Sequence, residues 1–211
     1  MRPERIAAIL LAAGPSTRFG EDDKLMVDYR GKPLINHALA HVASLPFAHM
    51  VAVARPMEEA PVIHRKLDRR GYEIVVKEDA AADLSASIAL GLARVEEIAA
   101  IRKVQGVLLC LADMPDCNPT HLNHLCLAAE DIRSVVASTD GFGPLLPAFI
   151  GRKHFRELMS LRGDQGPRVL MSHGKLIETS DAVLRDVDTP EDLSRTLFAI
   201  GGKAEVDGNP G

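Results

Sequence analysis

Residues 10–26, which read LLAAGPSTRFGEDDKLM, place an arginine and a lysine in a short loop behind an apolar run. Gly14 permits a sharp turn where that run ends. Backbone N–H groups of the loop, with its serine and threonine hydroxyls, can form an anion-binding nest. Arg18 and Lys24 add two positive charges, so the loop is equipped to bind a polyphosphate; the alternative is an ordinary solvated loop between a strand and a helix.

Two acidic stretches further along can complete such a site. In LLCLADMPD, Asp113 directly follows an apolar run, and in DVDTPED either Asp186 or Asp188 can lie beside the same ion. A carboxylate at a strand end suits Mg²⁺, which binds through one or two acids plus substrate phosphates. The alternatives are that Asp113 caps a turn before Pro115 and that the second stretch only starts a helix.

Taken together, two cations and two strand-end acids outline a metal-dependent nucleotide site. Phosphoryl transfer mainly needs positioning and charge neutralisation, so it requires no nucleophilic side chain. The loop carries neither the G-K-[ST] of a P-loop nor the G-x-G-x-x-G of a dinucleotide site.

The three cysteines form no Cys-x-x-Cys pair, which favours a reducing compartment over a disulfide framework.

The elements that must position these residues alternate along the chain. Apolar runs predict strands at 6–13, 50–54, 73–76, 104–111 and 134–138, and helical spacing predicts helices at 33–45, 58–70, 84–101 and 119–129. This rhythm predicts an α/β fold with a mostly parallel sheet and helices on both faces. The segment 144–150 contains two prolines, which predicts an edge or antiparallel strand.

The C-terminal part and the bulk composition add further limits. The stretch VLRDVDTPEDLSRTLF predicts a strand followed by a helix with Thr189 as N-cap and Pro190 at its first position. The 211 residues predict one domain over 1–200 and a flexible tail over 201–211. A net charge of -4 argues against nucleic acid or an anionic membrane as a partner. No apolar run reaches the ~18 residues of a transmembrane helix, so we expect a cytoplasmic protein.

Five ordered motifs then carry a resemblance to a known family. They are LAAGPSTRFGEDDKL (11–25), LSASIALGL (84–92), LADMP (111–115), LRGDQGPR (161–168) and DVDTPEDL (186–193). The chain resembles the MobA-like nucleotidyltransferases of molybdenum cofactor maturation over about residues 5–197. Its Ala13-Gly14 pair resembles the cytidylyltransferase branch, because the guanylyltransferase branch usually carries two glycines there.

The resemblance implies a three-layer α/β/α Rossmann-like nucleotidyltransferase fold. It further implies transfer of a nucleoside monophosphate from an NTP to a phosphorylated acceptor, with release of pyrophosphate. The motif positions assign these roles: Leu11, Ala12, Ala13 and Gly14 line the nucleotide, Arg18 and Lys24 hold its triphosphate, Ser87 lies near the base or ribose, Asp113 binds Mg²⁺, and Asp188 completes the metal site. Arg18, Lys24 and Asp113 are therefore the expected catalytic residues.

The substrates implied by this resemblance are CTP, with GTP as an alternative, and molybdopterin as acceptor. A molybdenum enzyme that receives the cofactor would be a further partner. Two alternatives stay open: the same chemistry on a sugar or alcohol phosphate, and a non-catalytic nucleotide-binding accessory protein for molybdenum enzyme maturation. The missing dinucleotide fingerprint disfavours an oxidoreductase on a related scaffold.

The chain departs from the family pattern at the base and at the acceptor. Lys77 stands where relatives commonly have asparagine and Asp83 where they have glycine, and both fall where base and ribose would be read. Leu145-Leu146-Pro147 replaces Gly-His-Pro or Gly-Asn-Pro where the acceptor would lie, and Ala112 replaces the glycine before the D-M-P motif.

Overall fold

A computed structural model of the chain describes residues 1–14, 19, 23–79, 83–163 and 165–193. Its strands are β1 Ile6–Ala12, β2 Asp28–Tyr29, β3 Lys32–Pro33, β4 His49–Ala54, β5 Glu73–Val76, β6 Gly106–Leu111, β7 Val135–Thr139, β8 Leu145–Gly151 and β9 Lys175–Glu178. Its helices are α1 Ile35–Ala43, α2 Pro61–Asp68, α3 Leu84–Arg102, α4 Pro119–Ala128, α5 Phe155–Ser160, α6 Gln165–Ser172 and α7 Asp181–Leu184. A further helix begins at Pro190.

The central sheet has seven strands in the order β5-β4-β1-β6-β8-β7-β9. Strands β5, β4, β1 and β6 are parallel to one another, as are β7 and β9, while β8 runs antiparallel to both of its neighbours. Short β2 and β3 form a separate antiparallel pair. The predicted α/β class with a mostly parallel sheet is confirmed.

Strand β1 lies in the interior of the sheet, and both of its faces are apolar. Ile6, Ala8 and Leu10 point into a core shared with α1, α2 and α4, whereas Ala7 and Ile9 point into a second core shared with α3, α5 and α6. All seven residues of the strand are buried. This two-sided burial is typical of a strand in a parallel sheet. The sheet and the helices on its two faces form the three layers that the family resemblance implies.

Strand β8 confirms the antiparallel part of the prediction for 144–150 and excludes the edge position. It lies inside the sheet, between β6 and β7. The register passes from Ala137 opposite Ala148 to Ser138 opposite Leu145, so Leu146 and Pro147 have no partner in the ladder at this irregularity. A proline lacks the N–H that a ladder needs, and the irregularity is what admits it to an interior strand.

The C-terminal third departs most from the sequence prediction. The strand predicted before Thr189 is wrong: α7 occupies the start of that stretch and irregular chain follows it. The seventh strand of the sheet is β9, which the sequence did not reveal. Helix α2 begins at Pro61 rather than at residue 58, with the proline in its first turn. The predicted flexible tail at 201–211 lies outside the described residues, and the single-domain boundary stays a prediction.

None of the described helices is long and apolar enough to cross a membrane.

We predict that Gly151→Ala destabilises the fold. A Cβ atom at Gly151 would lie 2.4 Å from the carbonyl oxygen of Ile132 and 2.9 Å from that of Ser134, both of which are backbone atoms. Overpacking of this kind costs about 1–3 kcal/mol, measurable by urea denaturation. Gly14→Ala is the matched control, since no atom of the described residues lies within 4 Å of its added Cβ. Equal stability of the two variants would contradict the packing described here.

Candidate active site

The carboxyl ends of β1 and β6 meet at one edge of the sheet. Leu11 is paired with Leu111, and the N–H of Ala112 extends the ladder by donating to the carbonyl of Leu11 at 3.1 Å. The residues that follow these strands therefore leave the sheet side by side. Gly14 and Asp113 are among them, as expected for a ligand site at the strand ends of an open α/β sheet.

Lys24 reaches this edge from a short 3-10 helix over Lys24–Met26. Asp23 caps that helix by accepting from the N–H of Leu25 at 3.1 Å, and it also pairs with Arg55 at the end of β4. The side chain of Asp23 thus has a structural task in this loop. Glu21 and Asp22 lie outside the described residues.

The ammonium of Lys24 lies between two carboxylates. Its Nζ donates to Asp113 Oδ2 at 2.6 Å and to Asp188 Oδ1 at 2.8 Å, and Lys24 is only 8% exposed. Burial alone would lower the pKa of Lys24, but Asp113 and then Asp188 outweigh it, so that its pKa is raised. The lysine is therefore held protonated by the two acids that the sequence assigned to a metal site.

Backbone contacts bring Asp188 to this position. The N–H of Val187 donates to the carbonyl of Asp113 at 3.0 Å, which places the 186–188 segment against the end of β6. The following helix start has the predicted cap: Asp192 Oδ2 accepts from the N–H of Thr189 at 2.9 Å, and Thr189 Oγ1 accepts from the N–H of Asp192 at 3.2 Å. The capping prediction for Thr189 is confirmed.

Asp186 adds a third carboxylate nearby. Desolvation, followed by the negative charges of Asp188 and Asp113, raises its pKa, while Lys24 opposes the shift. Asp186 remains accessible to solvent. The site therefore combines three acids with one buried lysine, and it carries an excess of negative charge among the described residues.

The donor set suits a hard divalent cation. Asp113 Oδ1 is buried and accepts no hydrogen bond from the described residues, and such an orphaned carboxylate oxygen is a ready ligand. Within the described ranges no cluster of three or more His, Cys, Asp or Glu residues could hold a metal ion. The protein can supply Asp113 and Asp188, and the remaining ligands would be substrate phosphate and water, as Mg²⁺ prefers.

The residues expected to line a nucleotide lie at the end of β1 and in the first turn of α3. Leu11, Ala12 and Ala13 are buried at the end of β1, and Gly14 follows them at the surface. Ser87 is buried in the first turn of α3. Arg18 lies outside the described residues, so its expected role stays a prediction.

A cleft of about 370 Å³ opens beside the acids. Its walls include Met114, Leu145, Leu146, Arg168, Arg185 and Asp186. Arg185 is paired with Asp181, to which it donates at 2.6 Å. The two leucines that depart from the family pattern thus line a ligand-sized space that Asp186 also borders.

Several contacts around the site have no local signal in the sequence. Asp116 accepts from the hydroxyl of Tyr29 and from the guanidinium of Arg30, both at 2.7 Å, and so fixes the β2–β3 turn against the D-M-P loop.

The three cysteines are buried and free, and burial raises the pKa of Cys117 and of Cys126 to about 12. Thiols held protonated in this way are poor nucleophiles.

Comparison with known proteins gives a family match over most of the chain. The profile of the MobA-like NTP transferase domain matches residues 8–180. Among solved structures, the manganese complex of Rv0371c from Mycobacterium tuberculosis H37Rv superposes with a TM-score of 0.73 at 26% identity, covering 93% of this chain and 100% of that one.

Curated relatives carry different names. The purine catabolism protein PucB of Bacillus subtilis (strain 168) is 28% identical over 95% of this chain and 100% of its own length. The nicotine blue oxidoreductase of Paenarthrobacter nicotinovorans is 26% identical over 91% of this chain and 96% of its own. The probable molybdenum cofactor guanylyltransferase of Pyrococcus horikoshii is 25% identical over 77% of each.

We predict that Lys24→Met destabilises the protein and makes it more responsive to Mg²⁺. The change leaves Asp113 and Asp188 without their shared cation, and the loss of hydrogen bonds between charged groups costs about 1.5–3 kcal/mol. Added Mg²⁺ should raise the unfolding midpoint of the variant more than that of the wild type, because an ion can take the place of the ammonium.

Denaturant unfolding with and without Mg²⁺ measures both effects. Lys32→Met is the control, since Lys32 is an exposed lysine in β3. A Lys24→Met variant as stable as this control, and equally indifferent to Mg²⁺, would show that the two carboxylates do not depend on a cation.

Proposed function

We propose that this protein transfers CMP from CTP to a phosphorylated acceptor in a Mg²⁺-dependent reaction, with molybdopterin as the favoured acceptor. The chain belongs to the MobA-like NTP transferase family and is a nucleotidyltransferase. The observation that carries the proposal is the convergence of Lys24, Asp113 and Asp188 at the carboxyl ends of β1 and β6. A cationic group and two acids at one strand edge match the needs of a bound triphosphate and its metal ion.

In the proposed reaction, an oxygen of the acceptor phosphate attacks the α-phosphorus of the NTP in line. The new P–O bond forms as the bond between the α-phosphorus and the bridging oxygen breaks, and the electron pair leaves with pyrophosphate. Lys24, together with Arg18 as predicted from the sequence, neutralises the charge that develops on the transferred and leaving groups. When bound, Mg²⁺ would polarise the phosphoryl oxygens, with Asp113 and Asp188 as its protein ligands.

The choice of CTP rests on the opening motif. Ala13-Gly14 resembles the cytidylyltransferase branch, whereas one relative is named a guanylyltransferase. GTP is accordingly the competing nucleotide. Another relative is named an oxidoreductase, but the loop after β1 lacks the G-x-G-x-x-G fingerprint that is typical of a dinucleotide site. We therefore propose a triphosphate, rather than a redox cofactor, as the ligand at the end of β1.

A second candidate acceptor follows from Leu145 and Leu146, which line the cleft. Leucine side chains offer no hydrogen bonds, and a buried polar edge left without a partner is costly. They are poor partners for the polar edge of a pterin, and among the open alternatives this favours the same chemistry on an alcohol phosphate, because the hydroxyls of a sugar would meet the same leucines. The non-catalytic accessory role has no specific observation in its favour and becomes one outcome of the experiment.

We predict that the protein binds CTP more tightly than GTP and only with Mg²⁺, and that Asp113→Ala lowers turnover at least ~100-fold by removing a group that supports transition-state charge. Calorimetry with CTP and GTP, with and without Mg²⁺, measures the first part. Pyrophosphate release measures the second. Asp131→Asn is the control, because Asp131 is an exposed residue beyond α4.

A panel of acceptors then separates the remaining possibilities. Pyrophosphate release with molybdopterin is the expected result. Release confined to sugar or alcohol phosphates would establish the second candidate instead. Nucleotide binding without release from any acceptor would point to an accessory protein, and absence of Mg²⁺-dependent binding of either nucleotide would refute the proposal.

A further inference from the structure

Both backbone polar groups of Gly163 are held by the start of α3. Its N–H donates to Asp83 Oδ2 at 2.6 Å, and its carbonyl accepts from the hydroxyl of Ser85 at 2.5 Å. The other oxygen of Asp83 accepts from the N–H of Ala86 at 2.9 Å, which caps α3. One carboxylate thus joins two segments that are 80 residues apart in the chain.

This clamp, formed by Asp83 and Ser85 on Gly163, acts on a segment that leads into the cleft. Gly163 has a positive φ of 74°, a conformation that other residues rarely adopt, and α6 begins at Gln165. Within α6, Pro167 and Arg168 line the cleft. The other cleft arginine is paired with an aspartate, whereas among the described residues no carboxylate forms an ion pair with Arg168.

We propose that Asp83, with Ser85, is a positioning residue that holds Gly163 ahead of α6 and thereby directs Arg168 at the phosphate of the acceptor. The inference rests on the proposed function for the identity of the ligand, a phosphorylated small molecule. An arginine guanidinium is well suited to a phosphate because it presents several N–H donors in one plane.

The geometry gives Asp83 a different task from reading the base or ribose. Each of its oxygens already accepts a backbone N–H, so neither is reserved for a nucleotide hydroxyl. The same two hydrogen bonds lower the pKa of Asp83, with a smaller contribution from the charge of Lys77. The carboxylate is therefore ionised at neutral pH and can accept both bonds. A glycine, which the family pattern has at this position, cannot form the clamp.

Asp83→Asn separates the clamp from the helix cap. Asparagine is as good an N-cap as aspartate, so its Oδ1 can still accept from Ala86, but its amide nitrogen cannot accept from the N–H of Gly163. We expect amide hydrogen exchange over 163–172 to rise at least tenfold, with little change in α3. We also expect the KM for the acceptor to rise about tenfold, while CTP affinity with Mg²⁺ stays within twofold.

Arg168→Ala should raise the acceptor KM in the same way without raising the exchange of Gly163. In the double variant, Asp83→Asn should add less than twofold to the effect of Arg168→Ala, because residues that act through one another are not additive. Asn118→Ala is the control for capping, since Asn118 caps α4 by accepting from His121 at 3.0 Å and has no part in the clamp. It should leave both the exchange over 163–172 and the acceptor KM unchanged.

Unchanged exchange over 163–172 in Asp83→Asn would overturn the clamp. A tenfold loss of CTP affinity with an unchanged acceptor KM would overturn the positioning role and make Asp83 a nucleotide-reading residue. If the wild type releases no pyrophosphate with any acceptor, the proposed function fails and takes the acceptor role of Arg168 with it. The exchange measurement, which needs no ligand, still decides whether the clamp exists.

Discussion

The double ion pair of Lys24 is the interaction on which the site depends. It joins residues that are 89 and 164 positions apart, and each partner arrives by a different route. The β1–β6 ladder places Asp113, the bond from Val187 to the Asp113 carbonyl places Asp188, and the Asp23–Arg55 pair anchors the turn that carries Lys24. Buried ion pairs are weak sources of stability because desolvation offsets their attraction. Their arrangement at a strand edge is better understood as preorganised charge.

Preorganisation of this kind has a consequence for the proposed reaction. Lys24 and a divalent cation are both attracted to Asp113 and Asp188, and a triphosphate attracts both cations in turn. In the absence of substrate, the lysine neutralises the carboxylates and limits their mutual repulsion. A bound phosphate would give the lysine a new anionic partner and would leave the acids, including the orphaned Asp113 Oδ1, available to a metal ion. Charge balance alone thus links nucleotide and metal binding in the proposed site.

The sequence predicts the parts of this arrangement that have a local cause. Continuous apolar runs identify β1 and β6, and the residues that follow them, Gly14 and Asp113, must lie at the same edge of a parallel sheet. The interior position of β8 was not predictable, because it depends on a register irregularity opposite β7 rather than on the prolines alone. Strand β9 escaped detection because its four residues are mostly exposed. The pairing of Lys24 with the two acids has no sequence signal, since only the folded chain shows that the three groups converge.

The residues that depart from the family pattern have different structural roles in the folded chain. Lys77 and Asp83 fall where base and ribose would be read, yet they carry opposite charges that interact, and Asp83 is engaged by two backbone N–H groups. These two changes are therefore compatible with an intact nucleotide half of the site. Leu145 lies opposite Ser138 in the sheet and Leu146 belongs to the buried core, and both also line the cleft. The physical case for an altered substrate rests on the acceptor half, where apolar walls and Arg168 would select a phosphate attached to a less polar body.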